Sequence, residues 1–150
     1  MAKRKSLQND DCPVARAVDL VGDRWSMLII RDAMDGIRRF GDFQRNLGVA
    51  RNILSDRLSA LVDAGLLAIQ PASDGSAYQE YVLTAKGESL FPAIVALRQW
   101  GERHLFAPGE AHSTLVEKAS GKRVSAMHPH DHDGKVLKAM QTVVKKLAPK

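Results

Sequence analysis

The sequence has little cysteine, no long apolar run and none of the common catalytic motifs. Its single cysteine, Cys12, excludes an internal disulfide and fits a protein of the reducing cytoplasm. No apolar stretch approaches the ~18 residues that a membrane span requires, and the basic N-terminus is not followed by the apolar segment of a signal peptide. We find no phosphate loop, no Rossmann glycine pattern, no HExxH and no nucleophile motif. The sequence therefore predicts a cytoplasmic, non-enzymatic protein without a cofactor or a membrane partner.

The composition is that of a basic globular protein. The 150 residues include 22 Lys and Arg against 17 Asp and Glu, a net charge of +5, and 45% of the residues are hydrophobic. This is enough apolar material for one compact domain with short extensions. The positive charge favours a polyanionic partner, chiefly nucleic acid.

Hydrophobic periodicity and turn residues predict mainly helices with one hairpin. Residues 1–11 are polar and predict a flexible basic arm. The elements predicted after it are a helix from Pro13 to Val21, a helix capped by Asp23 and ending at Gly36, a small strand over Ile37–Phe40, a short helix over Gly41–Asn46, a helix over Ala50–Ala64, two strands over Leu66–Gln70 and Tyr78–Leu83, and a long helix over Ala85–Phe106 that Pro92 kinks.

Residues 107–150 differ in character and predict a C-terminal extension. Leu115–Val124 has the pattern of a short hairpin, and the loop that follows is rich in histidine. Gly134–Leu147 has a helical apolar stripe that predicts an amphipathic helix. We expect this helix to pack within the chain or on a dimer rather than on a membrane surface, because its apolar face lacks Trp and Phe anchors.

The order of helix, Gly-containing turn, amphipathic helix and hairpin is typical of a winged helix-turn-helix. Such a fold packs one stripe of the second helix on the core and presents its polar N-terminal half to base edges in DNA. The segment Gly36–Leu58 has a net charge of +3. The predicted DNA-binding residues, with the wing tip included, are Arg38, Arg39, Arg45, Arg51, Asn52, Ser55, Arg57, Ser73 and Ser76. The alternative is that these side chains only solvate a helix face.

Several blocks of the sequence, in order, closely resemble the HxlR-type winged-helix transcriptional regulators. They are Cys12–Trp25, Arg39–Gln44, Ile53–Leu58, Ala64–Leu67, Glu80–Gly87 and Trp100-Gly101, so that the resemblance covers roughly residues 12–106. It implies a homodimer that binds operator DNA, with dimer contacts from the first helix and from the long helix after the wing. The corresponding interface candidates are Val14, Val18, Leu97, Trp100 and Leu105.

The sequence departs from the family pattern at three places. Ala50 replaces a common Ser cap before the recognition helix, and Tyr78 stands where a basic residue is common. The wing tip, Ser73–Ser76, has no Arg or Lys, although contacts in the minor groove favour Arg. The extension has no cysteine, whereas longer relatives often carry a Cys-paired knuckle there.

Cys12 is a candidate redox sensor. It precedes Pro13 at a helix start, where aligned peptide dipoles favour the thiolate, and Arg16 lies one turn away. The resemblance implies a switch that responds to oxidants or electrophiles. Without a second cysteine, modification gives a disulfide between subunits, a mixed disulfide or an adduct. The alternative is an unreactive thiol in the dimer contact.

Two other features have an ordinary interpretation. The segment His128–Asp133 contains imidazole and carboxylate groups that suit Zn²⁺ or Ni²⁺, but it lacks the spacing of a structural zinc site, and we predict a polar loop without metal. Trp25 and Trp100 at helical spacing favour core or interface packing over a ligand pocket.

The sequence thus predicts an α+β, mainly helical fold: a winged helix-turn-helix with a two-stranded wing, flanking dimerisation helices and a C-terminal extension. The predicted function is a dimeric, sequence-specific DNA-binding repressor with operator DNA, a second copy and a small-molecule or electrophile inducer as partners. The alternative is a winged-helix module that binds protein without sequence-specific DNA binding.

Overall fold

The computed structural model describes residues 4–149, and it confirms the predicted fold class. Its helices are α1 (Pro13–Val21), α2 (Ser26–Met34), α3 (Phe40–Leu47), α4 (Arg51–Asp63), α5 (Ala85–Glu88), α6 (Phe91–His104) and a 3-10 turn at Ala139–Gln141, and its strands are β1 (Leu67–Pro71) and β2 (Gln79–Leu83). The chain forms two compact units that divide between Leu90 and Phe91, whereas we predicted a boundary at residue 106. No helix among residues 4–149 is long and apolar enough to cross a membrane.

The first unit is built around one aliphatic core. Helices α2, α3 and α4 pack together, and the two-stranded sheet covers them through contacts of β1 with α4 and of β2 with α2. The buried apolar residues of this core are Ile29, Ile30, Phe43, Val49, Leu54, Leu58, Leu61, Leu66 and Leu67. Three of the four predicted stripe positions of α4, Leu54, Leu58 and Leu61, are therefore buried, and Val62 packs against them.

The helix ends follow from individual residues. Asp23 caps the first turn of α2, because its Oδ2 accepts hydrogen bonds from the backbone N–H groups of Trp25 and Ser26, each at 3.0 Å. Gly48 ends α3 in the left-handed region with φ of 63°, which favours glycine. Thr84 caps α5 by accepting a hydrogen bond at 3.1 Å from the N–H of Gly87.

The sheet is the predicted antiparallel hairpin. Leu67 lies opposite Leu83 and Pro71 lies opposite Gln79, and residues 72–78 form the connecting loop. The hairpin is the wing of the fold.

Two predictions for this region were wrong. Ile37–Phe40 is not a strand: Phe40 begins α3, and only one backbone bond, from the N–H of Tyr81 to the Arg38 carbonyl at 2.7 Å, joins the segment to β2. The predicted long helix is two helices, because the chain turns at Ser89 and Leu90 and α6 starts at Phe91. Pro92 has no N–H to donate, so it fits the first turn of a new helix better than the interior of a continuous one.

The second unit consists of α6 and an extension with little regular structure. Val116 and Arg123 form an isolated antiparallel bridge around a turn at Gly121, which is a minimal form of the predicted hairpin. Gln99 on α6 holds the segment that follows, donating to the Ser125 carbonyl at 3.0 Å and accepting from the Met127 N–H at 2.7 Å.

The prediction of an amphipathic helix over Gly134–Leu147 was wrong. Residues 139–141 form a single 3-10 turn, and the chain from Thr142 to Pro149 is irregular. The β-branched run Thr142-Val143-Val144 loses side-chain freedom in a helix, and a short helix is marginal without tertiary packing. Its apolar positions are exposed instead of buried.

Candidate nucleic-acid interface

A helix-turn-helix presents the N-terminal half of α4 on the surface of the first unit. Gly48, Val49 and Ala50 connect α3 to α4, and Val49 is buried while Ala50 begins the second helix without a side-chain cap. The buried stripe fixes the rotation of α4 about its axis. Arg51, Asn52 and Ser55 consequently lie on its exposed face, as predicted.

An open groove runs between this helix-turn-helix and the wing. Its lining combines cationic, amide and aromatic side chains with one carboxylate, and includes Arg39, Arg45, Arg51, Asp42, Gln44, Gln79, Phe40, Tyr78 and Tyr81. Three of the predicted arginines therefore meet in one groove. Such a mixture suits an anionic backbone that carries flat, hydrogen-bonding bases.

Arg39 ties the wing to the start of α3. Its guanidinium pairs with Asp74 at the wing tip, and its Cζ lies 5.2 Å from the centre of the Tyr78 ring, within cation–π range. The Ser76 backbone N–H donates to Asp74 at 2.9 Å, and this bond together with Arg39 lowers the pKa of Asp74 to about 2. The wing tip thus keeps a carboxylate at neutral pH.

A second ion pair fixes the base of the wing. The Glu80 side chain is buried and accepts hydrogen bonds from the Ser73 N–H at 3.1 Å and the Ser73 hydroxyl at 3.0 Å, while Arg38 approaches it at 3.5 Å. The Ser73 N–H bond is the main cause that lowers the pKa of Glu80, and burial opposes it. Ser73 and Arg38 are therefore engaged in holding the hairpin.

The remaining predicted arginines differ in their surroundings. Arg45 is largely exposed and pairs with Asp42 one turn earlier, whereas Arg51 lies with its Cζ 5.1 Å from the centre of the Phe40 ring. Within residues 4–149, Arg51 makes no ion pair, so its five N–H donors remain available to a ligand.

Arg57 does not line this groove and lies instead beside Asp23. Its Nε is buried and lies 3.4 Å from Oδ2 of Asp23, the residue that caps α2. Partial burial raises the pKa of Asp23, but hydrogen bonds from Ser26 and Trp25 and the charge of Arg57 outweigh it, so the pKa is lowered. Ser76 is also turned inward, because its hydroxyl is buried.

The polar residues that hold this surface in place were not predicted from the sequence. Asp32 is almost fully buried and accepts hydrogen bonds from Arg31 at 2.7 Å and from the Asn46 amide at 2.8 Å, which joins α2 to α3. The sequence did carry a signal for Asp32, because a carboxylate at an apolar position of a predicted helix indicates a buried polar contact. The pairing of Arg39 with Asp74 had no such signal in the sequence, because 35 residues separate the two.

The other predicted sites are exposed. Cys12 is a free thiol on the surface, and its backbone N–H donates to Oδ1 of Asp10 at 2.8 Å. The interface candidates are exposed as well: Val14 and Val18 on α1 of the first unit, and Leu97, Trp100 and Leu105 at α6 of the second. In the described part of the chain, no group of three or more His, Cys, Asp or Glu side chains is placed to hold a metal ion.

Comparisons with known proteins agree with this architecture. The sequence profile of the HxlR-like helix-turn-helix family matches residues 20–108. An uncharacterized HTH-type transcriptional regulator of Mycobacterium tuberculosis is 50% identical over 95 residues, which cover 63% of this chain. The matched part spans 60% of that relative's own length.

Two solved structures have the same fold. The crystal structure of PA1607, described as a candidate transcription factor, has 51% sequence identity and a TM-score of 0.88, with 93% of this chain and 98% of that chain covered. The redox regulator HypR in its reduced form has 26% identity and a TM-score of 0.57, with 63% and 94% of the two chains covered. With its winged helix-turn-helix and the profile match over more than half its length, the chain belongs to the HxlR-like helix-turn-helix family.

Proposed function

We propose that this protein is a cytoplasmic, homodimeric transcriptional repressor that acts by binding operator DNA and not by catalysis. The observation that carries the proposal is the groove in which Arg51 of α4 stands beside the wing, with Asn52 and Ser55 exposed on the same helix. In a dimer, the two α4 helices enter successive major grooves of a palindromic site, with centres about 34–36 Å apart or a multiple of that distance.

Each predicted DNA-binding residue discussed below has a chemical role in this proposal. Arg51 reads the O6 and N7 atoms of guanine and Asn52 pairs with adenine, because both side chains present two hydrogen-bonding groups in one plane. Arg45 contacts phosphate and sets the register of the helix. Arg38, Arg39, Ser73, Ser76 and Arg57 act indirectly, by fixing the wing and α4 through the contacts described above.

Fluorescence anisotropy on the DNA upstream of the protein's own gene, with excess random competitor, tests the proposal. We expect competitor-resistant binding that Arg51→Ala weakens by about 5- to 150-fold, which corresponds to one lost bidentate contact of about 1–3 kcal/mol. Arg123→Ala, an exposed arginine of the C-terminal extension, serves as the matched control and leaves the affinity unchanged. If the random competitor DNA abolishes the binding, the result favours the alternative, a winged-helix module that binds a protein partner.

We also propose that Cys12 is a thiol sensor for oxidants or electrophiles. Its exposure at the N-cap position of α1 supports this, as does the similarity to a redox regulator. Two Cys12 thiols from two protomers form a disulfide when an oxidant such as diamide accepts their two electrons and two protons. We expect diamide or methylglyoxal to reduce DNA binding of the wild type, and a Cys12→Ser variant that responds equally excludes the sensor.

A further inference from the structure

Asp56 lies at the centre of the exposed face of α4. The buried residues Leu54, Leu58 and Leu61 define the side of the helix that faces the core. At about 100° per residue, Asp56 lies roughly opposite their centre, and the exposed Asn52 lies one turn earlier and about 40° away around the axis. The carboxylate therefore stands beside the amide that we propose to bind adenine, in the half of α4 that enters the major groove.

No cation neutralises this carboxylate in the part of the chain that the structure describes. The ion pairs found there do not include Asp56, and no side chain there donates a hydrogen bond to it. The residues three and four positions before it and after it are all uncharged, so α4 itself supplies no partner one turn away. Arg57, the next residue, pairs with Asp23 instead.

A carboxylate distinguishes the base edges of the major groove by what it repels. Its oxygens only accept hydrogen bonds, and the O6 and N7 atoms of guanine and the O4 atom of thymine are acceptors too. The N6 amino group of adenine is a donor, but the acceptor N7 next to it repels the second carboxylate oxygen. The N4 amino group of cytosine is a donor without an acceptor beside it on the exposed edge. Cytosine is therefore the base that suits Asp56 best.

The charge also makes this selection strict. Where no donor faces Asp56, the carboxylate meets only the negative potential of the DNA, and the complex is weakened. Such repulsion raises specificity by disfavouring wrong sequences, in addition to any bond gained with the right one.

We propose that Asp56 is a specificity-determining residue that accepts a hydrogen bond from the N4 amino group of one cytosine in each half of the operator. Side chains one turn apart on a helix are about 5–6 Å apart, and base pairs are stacked about 3.4 Å apart, so Asn52 and Asp56 read base pairs one or two steps apart. This inference rests on the proposed function and adds a base to the site that the protein reads.

Selection of bound duplexes from a random-sequence DNA library tests the residue without knowledge of the operator. We expect the wild type to enrich a site with cytosine at one position of each half, where exchange for thymine weakens binding about 5- to 150-fold. Asp56→Ala is expected to lose the preference at this position and to keep the others. Asp56→Asn is expected to change the preference from cytosine to adenine, because an amide donates to N7 and accepts from N6.

Asp63→Ala is the matched control. Asp63 is exposed on the same face of α4, seven residues or about 10.5 Å further along the axis, and its substitution removes the same charge. Both alanine variants lose a negative charge near DNA, so we expect each to bind random DNA up to about fivefold more tightly. Only the substitutions of Asp56 are expected to change the selected base.

The outcomes separate this inference from the proposed function. A wild type that enriches no site removes the proposed function and this inference with it. An enriched site that Asp56→Ala and Asp56→Asn leave unchanged at every position keeps the proposed function and overturns the inference, because Asp56 is then only a surface charge. Urea denaturation shows that the variants are folded, and we expect unchanged midpoints because Asp56 is exposed and unpaired in the described chain.

Discussion

At the scale of single residues, Arg57 shows that a charge on the recognition helix can serve the fold. Its buried Nε and its 3.4 Å approach to Asp23 join α4 to the capped start of α2. The sequence predicted a DNA contact at this position, because the pattern of a polar helix face does not distinguish an arginine that binds DNA from one that binds a carboxylate of the same chain. Only the packing of α2 against α4 supplies the carboxylate.

We therefore expect Arg57→Ala to lower the free energy of unfolding by about 1 kcal/mol, since it leaves Asp23 partly buried without its counter-ion. Urea denaturation checks this value. Arg45→Ala is the matched control, and its exposed pair with Asp42 is expected to contribute about 0.3–0.5 kcal/mol. Equal effects of the two substitutions contradict a structural role for Arg57.

The titration of Asp74 is a second test at this scale. Its pKa of about 2 lies below the ordinary 3.8, so the stability that the folded carboxylate contributes is present above pH 3.8 and is lost as the pH falls towards 2. We expect the carboxyl NMR signal to titrate near pH 2 in the wild type. In Arg39→Ala the midpoint rises but stays below 3.8, because the Ser76 N–H still donates.

Arg45→Ala serves as the control for this titration and is expected to leave the Asp74 midpoint in place. If Arg39→Ala also leaves the midpoint unchanged, the wing is not tied to α3 by this ion pair.

At the scale of elements, α5 is defined by a close approach that only glycine permits. A Cβ on Gly87 meets the Leu66 carbonyl oxygen at an impossible distance and lies 2.9 Å from the Leu83 side chain. The short helix therefore lies directly against the beginning of the sheet, which supports both strands of the wing.

Gly87→Ala is expected to lower the free energy of unfolding by about 1–3 kcal/mol, as overpacking in a core does. Gly41→Ala on α3 is the matched control: its new Cβ lies 3.5 Å from the Arg45 guanidinium, so we expect stability to be equal or slightly higher. Thermal or urea unfolding of both variants checks this. If Gly87→Ala leaves the free energy of unfolding unchanged, α5 can move to make room for the new Cβ and the close approach is not required.

The elements that the sequence predicted well are those with both a periodic pattern and a stop signal. Helix α4 has its stripe from Leu54 to Leu61 and is followed by Gly65, and the hairpin has its turn at Asp74-Gly75. The C-terminal segment misled the prediction, because the helical stripe from Met140 to Leu147 has no core to pack against in the described chain. The ion pairs of the groove could not be predicted either, because they join residues far apart in the sequence.

At the scale of the whole molecule, the exposure of α1 together with the proposed homodimer predicts a stability that depends on association. Because anything that binds only the folded state stabilises it by mass action, we expect the Tm to rise with protein concentration. Val18→Asp places a charge in the proposed contact and is expected to raise the dimer Kd at least tenfold. Ile69→Asp, an exposed apolar residue on β1, is the control that leaves the Kd unchanged. A Tm independent of concentration contradicts the dimer.

The pairing of the arginines has a consequence for how the protein competes with the ions around DNA. Four of the five arginines between Gly36 and Leu58 face a carboxylate: Arg38 with Glu80, Arg39 with Asp74, Arg45 with Asp42 and Arg57 with Asp23. A dimer whose ten arginines each neutralised a phosphate would show a slope of roughly −9 in log affinity against log salt.

Arg51 is unpaired, and the exposed Arg45 leaves Asp42 for a phosphate in the proposed complex. Two arginines on each protomer then contribute, and the slope is expected near roughly −4, because the other three stay with their carboxylates and displace few counterions from the duplex. Titrations in a series of KCl concentrations measure it. A shallow slope means that little affinity comes from charge alone, so bulk chromosomal DNA retains the protein weakly. Occupancy of a site then depends on its base sequence, and the protein finds that site in a cell whose ionic strength changes.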